Sequence, residues 1–294
     1  MRIVLTGAGG LVGKDLWLKL EPHSELWAVG RKKPETIPAS QWKSLDIIDP
    51  ELTIKTIQQI NPDCVIHSAA LSNPDQCEDN PDLGYKTNAL GTRNIALACQ
   101  KFDTELLYIS SDQIFDGTKK TPYRENDSPN PINQYGFSKF WGENMIQTLL
   151  HRFYIVRTSL IFGTLRPTYI DKVVASALKQ EPLIAATDIV NSLTYSKDLA
   201  DAISFLIVKH LYGNYHIANE GFTSRYALSK TIASILKKKF DFIKKGNKND
   251  LKLKAPRPGF TPLENFVWNL NEFPKIAPWE DALIRFLKEK GTLS

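Results

Sequence analysis

The sequence predicts an α/β fold: a doubly wound parallel sheet with a smaller C-terminal α/β lobe. Three observations predict it. Short apolar runs alternate with helix-like segments through the first half, a glycine-bearing turn joins the first strand to the first helix, and the rhythm changes beyond about Phe162. Alternation with apolar strands implies parallel pairing covered on both faces, which is a Rossmann-type sheet.

In order, Ile3-Val4-Leu5 reads as a strand, Leu11 to Leu20 as a helix and Glu25 to Val29 as a second strand. Leu52, Ile54, Ile57 and Ile60 recur at helical spacing, and Asn61-Pro62 ends that helix. Cys64-Val65-Ile66, a helical stretch from Tyr85 to Cys99 and the run Leu106 to Ile109 follow. After a helix carrying Tyr135, the strand Tyr154-Ile155-Val156 is expected to complete the sheet. Beyond it, helices are expected at Tyr169 to Leu178, Lys197 to Ile207, Tyr226 to Lys238 and Trp279 to Lys288, with a proline-rich turn at Pro256-Arg257-Pro258. This divides the chain into residues 1–160, the sheet domain, and 161–294, a smaller lobe with some segments returning to the sheet.

Composition narrows the class. A chain of 294 residues, 42% hydrophobic and 23% charged, can bury a large core, and its net charge of +5 is mild. The lysine-rich stretch from Lys237 to Lys254 reads as a solvated helix end and loop, so no nucleic-acid partner is expected. Cys64, Cys77 and Cys99 are odd in number and lack C-x-x-C spacing, which fits reduced thiols. No apolar run approaches the roughly 18 residues of a membrane helix, and the opening residues read as a strand, so a cytoplasmic protein off the membrane is expected. None of the five histidines has metal-ligand spacing and no G-x-S-x-G elbow occurs, so neither a metal nor a serine-hydrolase site is expected.

Gly7, Gly10 and Gly13 fall in a G-x-x-G-x-x-G register at the first strand-helix turn. Small residues there let the backbone, including Leu11 and Val12, approach a pyrophosphate at the helix N-terminus, where free N–H groups favour anions. After the second strand, Arg31 stands where an acidic residue would meet ribose hydroxyls in an NAD site. A guanidinium matches a 2′-phosphate, so NADPH is the expected cofactor, with NADH possible. Asp46 and Ile47 are expected beside the adenine.

Tyr135-Gly-Phe-Ser-Lys139 places a phenol and an ammonium four residues apart on one helix face. A phenol titrates near pH ~10, so a tyrosine exchanging protons at neutral pH needs a nearby cation, which Lys139 would supply. Together with the glycine register, Asn61-Pro-Asp-Cys-Val-Ile-His-Ser-Ala-Ala70, Asn88-Ala-Leu-Gly-Thr-Arg-Asn94 and Ser110-Ser-Asp112, this segment resembles the extended short-chain dehydrogenase/reductase superfamily. Tyr108 to Gly117 and Pro122-Tyr-Arg-Glu125 are similar to its dTDP-4-dehydrorhamnose reductase branch.

The resemblance implies roles for matching positions. Ser111 would hydrogen-bond a substrate carbonyl, Tyr135 would protonate it, and Lys139 would hold the nicotinamide ribose and stabilise tyrosinate. Ala69, Ala70 and Ser110 would line the cofactor, and Asn88 would support the site through the chain holding Lys139. Asp112, Gln113, Leu160 and Arg257 would face the sugar nucleotide, with Arg257 at its diphosphate and Asp112 equally readable as a turn acceptor. Gln113, Leu160 and Asp188 to Thr194 depart from the branch pattern, so the sugar is left open. The implied function is NADPH-dependent reduction of a nucleotide-linked 4-keto-6-deoxysugar by a monomer or homodimer. The alternatives are a non-catalytic NADP-binding regulatory subunit, like the methionine adenosyltransferase beta protein, or a related epimerase or dehydratase.

Overall fold

The computed structural model describes residues 1–293. β1 (Arg2–Thr6) leads into α1 (Leu11–Leu20); β2 (Glu25–Gly30) and β3 (Trp42–Ser44) precede α2 (Pro50–Ile60). β4 (Cys64–His67) is followed by α3 (Pro74–Asp79), α4 (Pro81–Tyr85), a π-helical turn at Lys86–Leu90 and α5 (Gly91–Lys101), and then by β5 (Glu105–Ser111), α6 (Gln134–Leu149) and β6 (Phe153–Thr158). The remainder runs β7 (Ile161–Phe162), α7 (Tyr169–Lys179), β8 (Leu183–Ala186), β9 (Val190–Asn191), β10 (Thr194–Tyr195), α8 (Ser196–Leu206) and β11 (Gly213–His216). It ends with β12 (Thr223–Ser224), α9 (Arg225–Ile235), β13 (Ile243–Gly246), β14 (Phe260–Thr261), α10 (Phe266–Leu270) and α11 (Trp279–Glu289).

Seven strands form one parallel sheet in the order β11-β6-β5-β4-β1-β2-β3. Strand residues alternate between its faces. Ile3 and Leu5 pack with Leu16 and Trp17 of α1 and Leu199 and Ile203 of α8. Val4, between them, packs on the other face with Ile57 of α2, Ile95 of α5 and Ile146 of α6. A further core joins Val173 of α7, Ile232 of α9 and Leu283 of α11 to Leu183 of β8.

Local chemistry sets the element ends. Asp49 accepts from Leu52 N at 2.9 Å and caps α2, while Asn61 closes that helix in the left-handed region at φ 49°. The strand around Tyr154 does not complete the sheet as the sequence suggests: β11 pairs outside β6, with Tyr215 opposite Val156. Among its four residues only Tyr215 is apolar, apart from Gly213, so it gives no apolar run to read.

Candidate active site

Strand order reverses between β1 and β4, and a cleft of about 1060 Å³ opens at the C-terminal ends of the strands, where open α/β sheets bind ligands. One end is the first turn, with Gly7, Gly10, Leu11 and Val12 at the surface. Gly7 has φ +69°, and a Cβ on it would lie 2.7 Å from Ala69 N, so only glycine fits this close crossing. Gly10 begins α1 with no side-chain cap. The helix therefore keeps its first N–H groups for an anion. Gly13 lies outside the cleft lining; its Cβ would fall 2.1 Å from Gly7 O, so it lets α1 pack onto the turn.

Arg31, Asp46, Ile47, Ala69 and Ala70 also line this end, with the exposed Lys32 beside Arg31. Ser110 lines it too, and its hydroxyl is buried without a partner among the described residues. A backbone cradle, a helix N-terminus, an adjacent arginine and an unpaired hydroxyl fit an anionic dinucleotide. Asn88 stands behind the cleft in the π-helical turn. Its side chain accepts from Leu71 N at 2.8 Å and donates to Leu71 O at 3.0 Å and Ser138 Oγ at 2.9 Å, tying the chain after β4 to α6 one residue from Lys139.

At the other end, α6 delivers Tyr135 to Ser111. Asn133 caps the helix, accepting from Gly136 N at 2.8 Å, and a Cβ on Gly136 would fall 2.1 Å from Gln113 O. Glycine thus lets the first turn of α6 press against the exit of β5. Burial pushes the Tyr135 phenol above its ordinary pKa and the Asp112 charge adds to this, while the neighbouring Ser111 hydroxyl opposes both. Lys139, one turn on, donates to Ile109 O at 2.7 Å and sits 3.9 Å from the centre of the Tyr108 ring. Burial lowers its pKa to about 7, against the pull of the Glu143 charge.

Asp112 is the buried hub of this end. Its carboxylate accepts from Thr261 (2.6 Å), Ser159 (2.8 Å), Asn191 (3.1 Å) and Ser111 (3.2 Å), joining β5 and the end of β6 to β9 and β14. Its oxygens are thus directed at protein donors. Gln113 lines the cleft, with its side-chain oxygen held by Asn133 at 3.0 Å and its N–H on Ser111 Oγ at 3.2 Å. Leu160 lines it from a left-handed backbone at φ 27°, a strained conformation for a leucine. Arg257 lines it while donating to Asp75 at 3.0 Å and to Ala255 O at 2.8 Å. Asp116, on the segment that follows, takes Thr118, Tyr123 and Asn130 as donors, which makes it a turn acceptor.

The sequence reading missed Asn133 and Gly136, and Tyr169 and Arg225, which also line the cleft; it reached Asn191 only within the segment Asp188 to Thr194. Asn133 was open to detection, since an asparagine just before a helix is a capping signal. The others are set by tertiary contact.

The RmlD substrate-binding-domain model matches residues 1–291. The chain belongs to the RmlD family. Over 98% of this RmlD-family chain and 99% of its counterpart, it superposes with a TM-score of 0.85 on the dTDP-4-dehydrorhamnose reductase of Bacillus anthracis str. Ames, solved in complex with NADP and 32% identical. It is 30% identical to the spore coat polysaccharide biosynthesis protein SpsK of Bacillus subtilis across 99% of this chain and 98% of the relative. It is also 30% identical to the dTDP-4-dehydrorhamnose reductase of Aggregatibacter actinomycetemcomitans, across 76% of each. The RmlD relationship bears out the resemblance drawn from the Gly7, Ser111 and Tyr135 segments, and the parallel sheet bears out the fold class. Among the described residues of this RmlD-family chain, no helix is long and apolar enough to cross a membrane, and no three His, Cys, Asp or Glu side chains gather as a metal set.

Proposed function

We propose that this chain is an NADPH-dependent reductase of a nucleotide-linked 4-keto-6-deoxysugar, working as a monomer or homodimer in the cytoplasm. Residues 1–160 hold the cofactor, with NADH a weaker alternative, and 161–294 hold most of the sugar nucleotide. The observation that carries this reading is the meeting of Ser111 and Tyr135 in the cleft that also exposes the uncapped N-terminus of α1. The relatives named as reductases, one of them crystallised with NADP, support it.

When bound, the nicotinamide supplies hydride to the carbonyl carbon; orienting the substrate and moving the proton fall to the protein. Ser111 turns its hydroxyl from the 3.2 Å bond to Asp112 and donates it to the carbonyl oxygen. Tyr135 gives that oxygen its proton, and the raised phenol pKa keeps the proton in place beforehand. Lys139, carried on the same helix face and held under β5, orients the ribose and favours the resulting phenolate. Gln113 separates this reading from a dehydratase: it stands where such an enzyme would want a second acid, and an amide cannot exchange a proton there.

The test is loss of NADPH absorbance with a panel of dTDP-, GDP- and CDP-4-keto-sugars, expected to be stoichiometric with product for at least one. Absence of turnover with every member, together with co-purification with a synthetase, would instead support the regulatory-subunit reading.

A further inference from the structure

Arg225 opens α9 on the side of the cleft built by the second half of the chain. Its backbone N–H donates to Ile189 O at 3.1 Å, fixing it beside β9, and its guanidinium carbon lies 4.3 Å from the centre of the Tyr169 ring. Tyr169 is itself hydrogen-bonded to Ser229 at 3.3 Å, so the platform under the guanidinium is anchored. The guanidinium has no carboxylate partner in an ion pair among the described residues, and its Nη1 atom is buried without a hydrogen-bond partner. Arg225, Arg257 and Asp112 all line this one cleft, and the charges of Asp112 and Arg257 both act on the Arg225 guanidinium. A half-buried guanidinium with one buried, unpartnered nitrogen is left under-satisfied until an acceptor joins it. Arg257 lines the same cavity but is already paired with Asp75, whereas Arg225 is not, and a guanidinium fork matches phosphate oxygens.

We propose that Arg225 anchors the diphosphate of the nucleotide sugar, together with Arg257, and so sets how far the sugar reaches toward Ser111 and Tyr135. This rests on the reading of the cleft as a nucleotide-sugar site. The cofactor's own pyrophosphate has a separate seat at the N-terminus of α1, so the two anions do not compete for Arg225.

The experiment titrates the full chain as wild type, Arg225→Met and Arg225→Lys with dTDP, UDP, GDP and CDP, with the matching nucleosides, and with NADPH. For the best-bound diphosphate, Arg225→Met is expected to lose about 10- to 100-fold in affinity, as for a lost charge-assisted bond. Arg225→Lys should recover part of that loss, while the nucleoside and NADPH bind as to wild type. Unchanged diphosphate affinity, an equal loss for nucleoside and diphosphate, or a loss confined to NADPH overturns the assignment. So does a wild-type chain that binds none of the four diphosphates. If Arg225→Met fails to fold, Arg225→Lys decides, because it keeps the charge but not the fork. Turnover of the keto-sugar panel is scored separately: Arg225-dependent diphosphate binding without NADPH oxidation keeps this anchor and sinks the reductase reading.

Discussion

Tyr135 and Ser111 are the residues on which the proposed chemistry turns, and Tyr135 answers to a one-atom deletion. Tyr135→Phe removes one hydroxyl while leaving the ring, the Asn133 cap and the Gly136 contact in place. Turnover is expected to fall by about 10²- to 10⁴-fold, the range for a lost general acid, with NADPH affinity nearly unchanged in a fluorescence titration. Wild-type rates in that variant would remove Tyr135 from the mechanism. Arg31 faces the cleft from an exposed position, so Arg31→Ala should lower the NADPH-to-NADH ratio of kcat/KM with little effect on stability. An unchanged ratio would leave its 2′-phosphate role without support. Much of this end was legible because Gly7, Ser111, Tyr135 and Lys139 lie in short local motifs. Arg225 was not, because nothing in Thr223-Ser-Arg-Tyr226 reveals the Tyr169 ring, 56 residues earlier, on which it rests.

Among the elements, α6 carries the most: it presents Tyr135 and Lys139 to the cleft and is locked to the sheet by one buried ion pair. Arg157 of β6 donates to Glu143 at 2.8 Å (Nη2 to Oε2) and 3.1 Å (Nε to Oε1), with side-chain exposures of 3% and 1%. Arg157 also donates to Glu125 O at 3.2 Å, so removing the carboxylate strands a buried guanidinium. Glu143→Gln is expected to cost about 3–5 kcal/mol in urea unfolding, and the double change to Glu143→Met with Arg157→Met less than the single one. A single variant within 1 kcal/mol of wild type, by the same ~1 kcal/mol standard as a surface pair, would show that the bridge is not what holds α6. The longer helices were readable in the sequence, including α7, α8, α9 and α11 of the second half, whereas the short α3, α4 and α10 were not. The outermost strand β11, the two-residue strands and the hub at Asp112 were not. Short strands carry no period, and a hub whose donors come from Ser159, Asn191 and Thr261 exists only once distant segments have met.

Across the whole molecule, two buried neutral histidines make folding sensitive to acid. His67 of β4 shares hydrogen bonds with Thr6 of β1 at 2.7 Å and Thr92 of α5 at 3.0 Å, near the Lys139 charge. His216 of β11 donates from Nδ1 to Tyr123 O at 3.1 Å, with Arg157 nearby and Asp127 pulling the other way. Burial lowers each to about 3 from the ordinary 6.5. Between pH 3 and 6.5 the unfolded chain therefore binds protons that the folded chain refuses, and stability falls as pH drops through that window, by up to about 1.4 kcal/mol per pH unit for each histidine. Asp116, lowered to about 2 from 3.8, loses its contribution as pH falls between those two values, while burial raises Asp15, Asp112 and Glu125 and softens the fall. Lys139 continues the same trend upward: folded at about 7 against 10.5 unfolded, it adds stability as pH rises between those values. His216→Asn keeps a donor for Tyr123 O but cannot titrate, so urea unfolding of this variant should show a slope between pH 4 and 6 shallower than wild type by about 1.4 kcal/mol per unit. Parallel curves for the two proteins would mean that His216 binds its proton alike in the folded and unfolded chain, so that burial does not hold it neutral.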